Sequence, residues 1–300
     1  MEPWIPLTIA AAFSQNLRFM LQKQLKSTRL SVSGATVARF FYSAPLVGLL
    51  ALGYLQASGL SLPATQPAFW LYVITGGLAQ IVGTLCVVAL FSQRNFTVGL
   101  TFKKTEVIQA AIFGFLLLGE TISGWGMAAL ATGFIGLILL ADSPQAAGPL
   151  WQRVANRATA IGLLSGAAFA VSAVAYRGAM LAMASEDTFL RASLTLAVVT
   201  VFQSVVMLVW LRLFEPGEIT RLLGAWRVAV LMGVASLVGS LCWFSAFALQ
   251  SAAYVKGLGQ IEILFGAAAS YFWYKEHSTW REIIGIAVLM ASVLLLILAV

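Results

Sequence analysis

Glu106-Val107-Ile108-Gln109-Ala110-Ala111-Ile112-Phe113-Gly114-Phe115-Leu116-Leu117-Leu118-Gly119-Glu120 is an apolar run opened and closed by glutamate, and a shift of 156 residues lays it on a second such run from Glu262 to Glu276. The register extends outward from there. Residues 77–141 fall on 233–297 without a gap, so that Gly83 meets Gly239, Cys86 meets Cys242 and Phe91 meets Phe247. Apolar stretches match one another by chance, but the chain has only two cysteines and 11 acidic residues, and matched cysteines and glutamates carry more weight. The same shift sets Ala11-Ala12-Phe13 on Ala167-Ala168-Phe169, and a shift of 152 sets Thr36-Val37-Ala38-Arg39 beside Thr188-Phe189-Leu190-Arg191. The chain reads as a duplication, with residues 1–142 as the first repeat, 143–157 as a link containing Ser143-Pro144 and Gly148-Pro149, and 158–300 as the second repeat.

The solvent is set by composition. Hydrophobic residues make up 60% of 300 positions and charged residues 10%, with a mean hydropathy of +0.92. A soluble domain carries about a quarter charged residues. Apolar runs fall at 4–22, 33–56, 68–92, 97–119, 122–141, 158–183, 187–211, 223–249, 252–274 and 279–300. Each is continuous rather than alternating, which excludes the strands of a barrel and predicts membrane-crossing helices. The expectation is an all-α integral membrane protein of about ten transmembrane helices. Five spans per repeat is an odd number, so the second repeat enters the membrane from the opposite side and the two are inverted, with a site expected near the midplane between them. The first run lacks a basic leader region and reads as a retained span.

Lysine and arginine orient the bundle. The odd-numbered loops carry Lys23, Lys26, Arg29, Arg94, Arg153, Arg157, Arg212, Arg221, Arg227, Lys275 and Arg281, while the even-numbered loops carry only Glu186 and Asp187. By the positive-inside rule the odd loops are cytoplasmic and both termini external. The net charge of +7 is spread singly between apolar runs. That pattern does not describe a nucleic-acid surface. Trp4, Trp70, Trp125, Trp226 and Trp280 lie near span ends and read as interfacial anchors.

Chemistry points to binding rather than catalysis. The single histidine, His277, reads as a loop residue, the aspartates Asp142 and Asp187 fall in links, and no metalloprotease, nucleophile-elbow or phosphate-loop motif is present. Cys86 and Cys242 are matched packing positions, not metal ligands. Ionisable residues inside apolar runs are the informative ones, because a charge at a helix centre costs about 2.5–3.5 kcal/mol and calls for a partner or a cavity. Arg177, Arg191 and Lys256 read as residues that snorkel to headgroups. Glu106 is expected about nine residues inside span four, roughly 14 Å deep. It is either half of a structural pair with Lys103 or Arg39, or a carboxylate that binds substrate or a proton. Glu262 inherits that argument with Gln260 and Lys256 nearby. Gln15, Asn16 and Arg18 form a polar patch in span one, and Gln80 with Thr84 forms another in span three. Such amides also serve as bonds between helices. The candidate site is thus Glu106, Glu262, Arg39, Lys103, Arg18, Asn16, Gln15, Gln80 and Gln260, in a cavity between spans one to four and six to nine. Gly162, Gly166 and Ala170, like Ala129 and Gly133, permit close helix approach.

The run from Glu106 to Glu120, echoed from Glu262 to Glu276, resembles the span-four signature of the EamA-type drug/metabolite transporters: glutamate-proline-valine, small residues, glycine, an aliphatic run, then glycine-glutamate. Val107 and Ile263 stand where the family has its frequent proline, and Lys275 where it has the second glycine. The resemblance implies a secondary transporter or facilitator in a bacterial-type inner membrane, often an exporter of amino acids or other small polar or amphipathic metabolites. It implies no cofactor. Its partners would be a small-molecule substrate, membrane lipid and, as an option, a second copy in a homodimer, with nucleic acid excluded. Family members are commonly drawn with cytoplasmic termini; the charge count places these termini outside. The excess of cations in the spans favours a rival substrate class, a nucleotide- or lipid-linked anion. The rival outside transport is a membrane scaffold or complex subunit, which has no need of matched buried charges.

Overall fold

In hydrocarbon a backbone must satisfy its own hydrogen bonds, and among the described residues the apolar runs do so as helices. The structure, a computed structural model, describes residues 2–90, 103–141, 157–265 and 280–298. Its helices are α1 (Trp4–Thr28), α2 (Val32–Ser58), α3 (Pro67–Leu90), α4 (Glu106–Leu118), α5 (Gly124–Ala141), α6 (Arg157–Leu181), α7 (Thr188–Phe214), a short α8 (Glu218–Gly224), α9 (Trp226–Leu249), α10 (Ala252–Leu258) and α11 (Trp280–Leu298). The described residues are all-helical apart from turns and one isolated bridge. Five helices, α2, α3, α6, α7 and α9, are long and apolar enough to cross a bilayer, and α4 and the apolar part of α11 are shorter apolar helices. Large side chains such as Leu49, Leu71, Leu116 and Leu213 point outward, each more than 60% exposed, while Gln15, Arg18, Arg39, Glu106 and Gln203 are buried. A polar interior inside an apolar coat is the arrangement lipid demands of a bundle with a cavity.

The helix pairs keep their pattern when the halves are exchanged. α1 packs along α9 and α3 along α6, while α2 packs on α7, α5 on α11 and α4 on α10. Glycines set the close contacts. A Cβ at Gly83 would meet Phe169 at 3.0 Å, and one at its repeat mate Gly239 would meet Ser14 at 3.1 Å. Gly133 approaches Ser292 in the same way.

Cross-half ties close both ends. Where α2 begins, its N-cap Ser31 donates from Oγ to Glu215 (2.6 Å) and from its amide to Glu218 (2.5 Å). Where α2 ends, Tyr54 donates to Asp187, the N-cap of α7 (2.8 Å). Beside that contact the segment before α3 pairs with the segment after α6, through a bridge between Thr65 and Met183 and a hydrogen bond from Ala184 to Ala64 of 2.9 Å.

Several boundaries differ from the sequence reading. α1 runs on to Thr28, so Lys23 and Lys26 lie in its last turns rather than in a loop, and Arg157, Arg212, Arg221, Arg227 and Arg281 lie within helices. Lys23, Lys26, Arg157, Arg212, Arg221 and Arg227 remain at helix ends, which is where their long stems allow charge to reach water. Span eight is α9, and a short α8 precedes it, overlapping the expected span only at residues 223–224. Trp4 is 1% exposed and belongs to the core, whereas Trp70, Trp125, Trp226 and Trp280 are over half exposed. Position near a span end fixes height in the membrane but not which side of the helix faces the bundle. Arg94, Asp142, Arg153, Lys275, Glu276 and His277 lie outside the described residues.

Candidate functional site

Glu106 does not sit inside a continuous helix as expected. Lys104 and Thr105 form a turn, and α4 starts at Glu106. In the second half α10 tightens into a 3₁₀ turn at Gly259–Ile261, and the chain is α-helical again over 262–265. Both repeat-related glutamates therefore open a helical segment, where amide groups and the helix dipole favour negative charge. The turn also lets successive lysines face different partners. Lys103 reaches Glu106 Oε1 at 3.2 Å, while Lys104 crosses to the other half and pairs with Glu262. Close approach by α6 needs Gly166, since a Cβ there would lie 2.9 Å from the Lys103 carbonyl oxygen.

A second crossing runs the other way. Lys256 of α10 lies 3.9 Å from Glu106 Oε2, with its ammonium 4.6 Å from the centre of the Trp243 ring. Gln15 donates to Glu262, and Asn16 donates to the Glu262 carbonyl at 2.9 Å. Each carboxylate thus joins the two halves.

Beside these breaks is a small cavity of about 20 Å³, lined by Gln15, Arg39, Gln80, Lys256 and several aromatics and serines from α6 and α9. That is room for about one water. Its aromatic wall consists of two stacked pairs, Tyr176 on Phe244 at 4.5 Å and Trp243 on Phe247 at 5.7 Å. Behind it, Tyr176 donates to the Gly76 carbonyl at 3.0 Å, and Gln203 donates to Gln80 at 2.9 Å and to the Gly77 carbonyl at 3.1 Å. These bonds anchor α6 and α7 to α3. Arg39 donates to Thr84 at 3.0 Å.

Residues 157–298 match the model of the EamA-like transporter family. The second half is an EamA-like transporter domain. The EamA assignment is consistent with the drug/metabolite transporter superfamily, and the family's members are membrane transporters of small molecules rather than enzymes. No curated protein matches the chain in sequence. A solved crystal structure, described only as that of a protein, aligns over 98% of this chain and 99% of its own, with a TM-score of 0.66 and 14% identity. At that identity the likeness shows a shared fold, and it extends through the half that the family model does not match. The apolar helices and the family match are those of a multi-pass membrane protein, and membership of the second half in this family implies a membrane transporter of small molecules.

Gln15, Arg39 and Gln80 line the cavity. Glu106, Glu262, Lys103, Arg18 and Asn16 surround it in the charge network. Arg18 donates to the Gln15 side-chain oxygen at 3.5 Å and lies over the Phe19 ring. Gln260 is buried in the 3₁₀ turn, its Oε1 without a donor among the described residues. Of the two structural pairs expected for Glu106, the one with Lys103 forms; Arg39 is engaged by Thr84 instead. Lys256 is 8% exposed and does not snorkel. Nor does Arg177: it pairs with Glu120 and donates to the carbonyls of Phe247 (2.6 Å) and Gln250 (2.9 Å). Those carbonyls belong to the end of α9, where four acceptors lack helical partners. Arg191 stays near a span end, in the first turns of α7. The residues not anticipated are Tyr176, Gln203, Trp243 and the cross-half role of Lys104. A lone glutamine in the middle of the apolar α7 was the available signal.

Proposed function

We propose that the chain is a secondary transporter at an inner membrane that moves a small polar or amphipathic metabolite, amino acids being one such class, by alternating access between two inverted halves. The observation that carries this reading is a cavity walled by both halves and bordered by two broken helices whose carboxylates are repeat-related. The exchange-invariant packing supports the inverted relation, and discontinuous helices beside a midplane site are the usual device for exposing polar backbone to a substrate. With both sets of end ties closed the cavity holds no metabolite. Transport requires that the Ser31 ties and the Tyr54–Asp187 tie open in turn. The resemblance to EamA exporters supports outward movement, and the basic residues clustered at the Ser31 end support placing that end in the cytoplasm.

Counterflow into sealed vesicles of purified protein, across neutral, cationic, zwitterionic and anionic metabolites, tests the reading. Accumulation of at least one solute above protein-free vesicles is expected, and accumulation of none overturns it. Cysteines introduced at Ser185 and Arg221 report the orientation in whole cells. Labelling of position 185 from outside and of 221 only after permeabilisation is expected; the reverse result inverts the protein.

A further inference from the structure

The charges at the centre do not balance. Lys103 is matched by Glu106 and Lys104 by Glu262. Arg18, Arg39 and Lys256 are left without a carboxylate of their own among the described residues. Arg39 is 4% exposed; it donates to the Thr84 hydroxyl and lies over the face of Phe40. Lys256 makes no hydrogen bond among the described residues and rests on Trp243, sharing Glu106 at 3.9 Å. Both line the cavity, and among the described residues no acidic one does. Trp243, 7% exposed and also in the lining, has an indole N–H with no acceptor among the described residues.

We infer that the substrate is an organic anion, held through a carboxylate or phosphate group by Arg39, Lys256 and the Trp243 N–H, with a flat apolar body against the Tyr176, Phe244 and Phe247 rings. This rests on the transport reading and sharpens it. An oxyanion supplies the acceptors that a guanidinium, an ammonium and an indole are missing. It brings the negative charge that buried, unmatched cations require. A zwitterionic amino acid would satisfy the same donors through its carboxylate, but its ammonium would meet two cations and no free carboxylate, because Glu106 and Glu262 are both engaged by lysines. Stacked aromatic pairs offer large flat faces suited to a ring.

A charge series on one body tests this: 3-phenylpropionate and phenyl phosphate as anions, phenylalanine as zwitterion and phenethylamine as cation. Each is measured by thermal unfolding of the purified protein and by counterflow in vesicles. The anions are expected to stabilise and exchange, with phenylalanine weaker by about tenfold or more and phenethylamine inactive. Lys256→Gln should bring the anion-to-zwitterion ratio towards one, Lys256→Arg should keep it, and Arg39→Gln should act as Lys256→Gln does. Because the readout is a ratio, Lys256→Gln and Lys256→Arg suffice if the Arg39 variant does not fold. Phenylalanine equal to or better than the anions overturns the substrate class while leaving transport intact. So does an absence of any response to both anions alongside counterflow of some other solute. A ratio unchanged in Lys256→Gln overturns the assigned site. Failure of every solute in the wider counterflow panel instead removes transport itself.

Discussion

The two helix breaks share a glutamate and little else. Glu106 is clasped by one lysine from its own half and one from the other, at 3.2 and 3.9 Å. Glu262 takes its lysine from the opposite half and an amide from Gln15. Under the 156-residue shift, Lys103 falls on Gly259, Lys104 on Gln260 and Lys256 on Leu100. Under that shift the carboxylates coincide while the cations do not. The aromatic lining diverged too, since Phe169, Tyr176, Trp243, Phe244 and Phe247 all come from the second half and Gln15, Arg39 and Gln80 from the first. The lesson is that the matched positions carry the glutamates and the turns, while the unmatched ones give the cavity a charged side and a flat side.

Removing the two carboxylates in turn should separate these roles. Glu106→Gln strands Lys103 and Lys256 in the interior, and breaking a buried pair this way costs about 3–5 kcal/mol. Glu262→Gln strands only Lys104, whose side chain is 12% exposed, and should cost less. Adding Lys103→Met to Glu106→Gln should restore part of the lost unfolding temperature, since Lys256 stays unmatched, without restoring transport. Recovery of both would reduce Glu106 to half of a structural pair, and equal losses for the two single variants would erase the difference between the breaks.

Packing at the breaks offers a smaller contrast. Gly166 faces the first break, and its repeat mate is Ala10. A methyl at position 166 would press on the Lys103 carbonyl at 2.9 Å, on Thr105 Oγ1 at 3.2 Å and on the Glu106 amide at 3.3 Å. Gly166→Ala should therefore cost about 1–3 kcal/mol by overpacking and disturb the Lys103–Glu106 geometry. A neutral result in thermal unfolding would mean that the turn yields easily. Tyr176→Phe comes next. Its mate is Met20, which is 58% exposed, so the bonds to Gly76, Gln80 and Gln203 have no counterpart in the other half. Their loss should cost about 1–2 kcal/mol, and a stability equal to wild type would place the clasp outside the energetics of the fold.

What was legible in the sequence follows from where the information lies. The apolar runs, the buried Glu106 and Glu262, and the cavity residues Gln15, Arg39 and Gln80 could all be read, because polar residues in a hydrocarbon span are costly and therefore deliberate. The breaks could not. Lys103-Lys104-Thr105 contains neither proline nor glycine, and its turn is stabilised by partners more than 60 residues away, Gly166 and Glu262. The aromatic wall was equally hidden, since Phe244 in an apolar run looks like any lipid-facing side chain until its neighbours are known. Lys256 and Arg177 were misread for a related reason. A long cationic side chain near a span end reaches water by default, and only the carbonyls, ring faces and carboxylates of other helices show that here it turns inward.

The smallest effect distinguishes the ties at the two ends of α2. Asp187 accepts from the Leu190 amide at 2.7 Å with one oxygen and from Tyr54 at 2.8 Å with the other. The Leu190 amide, followed by the Tyr54 hydroxyl, holds this carboxyl below the ordinary carboxylate range against an opposing contribution from burial. A depressed folded-state value means that the stabilisation is present above the unfolded value, about 4, and is lost as pH falls through the folded one. Asp187→Asn keeps an acceptor for Leu190 and loses the charge, so at neutral pH it should cost only a few tenths of a kcal/mol at this partly exposed cap. On acidification below about pH 4 the gap between variant and wild type should close, because protonation makes the native residue resemble the amide. Thermal unfolding of both proteins from pH 7 to pH 3 measures that gap directly. A gap that widens towards acid would mean that Asp187 is stabilised as the protonated acid. A gap that does not move with pH would show that shape alone, without charge, closes this end of the bundle.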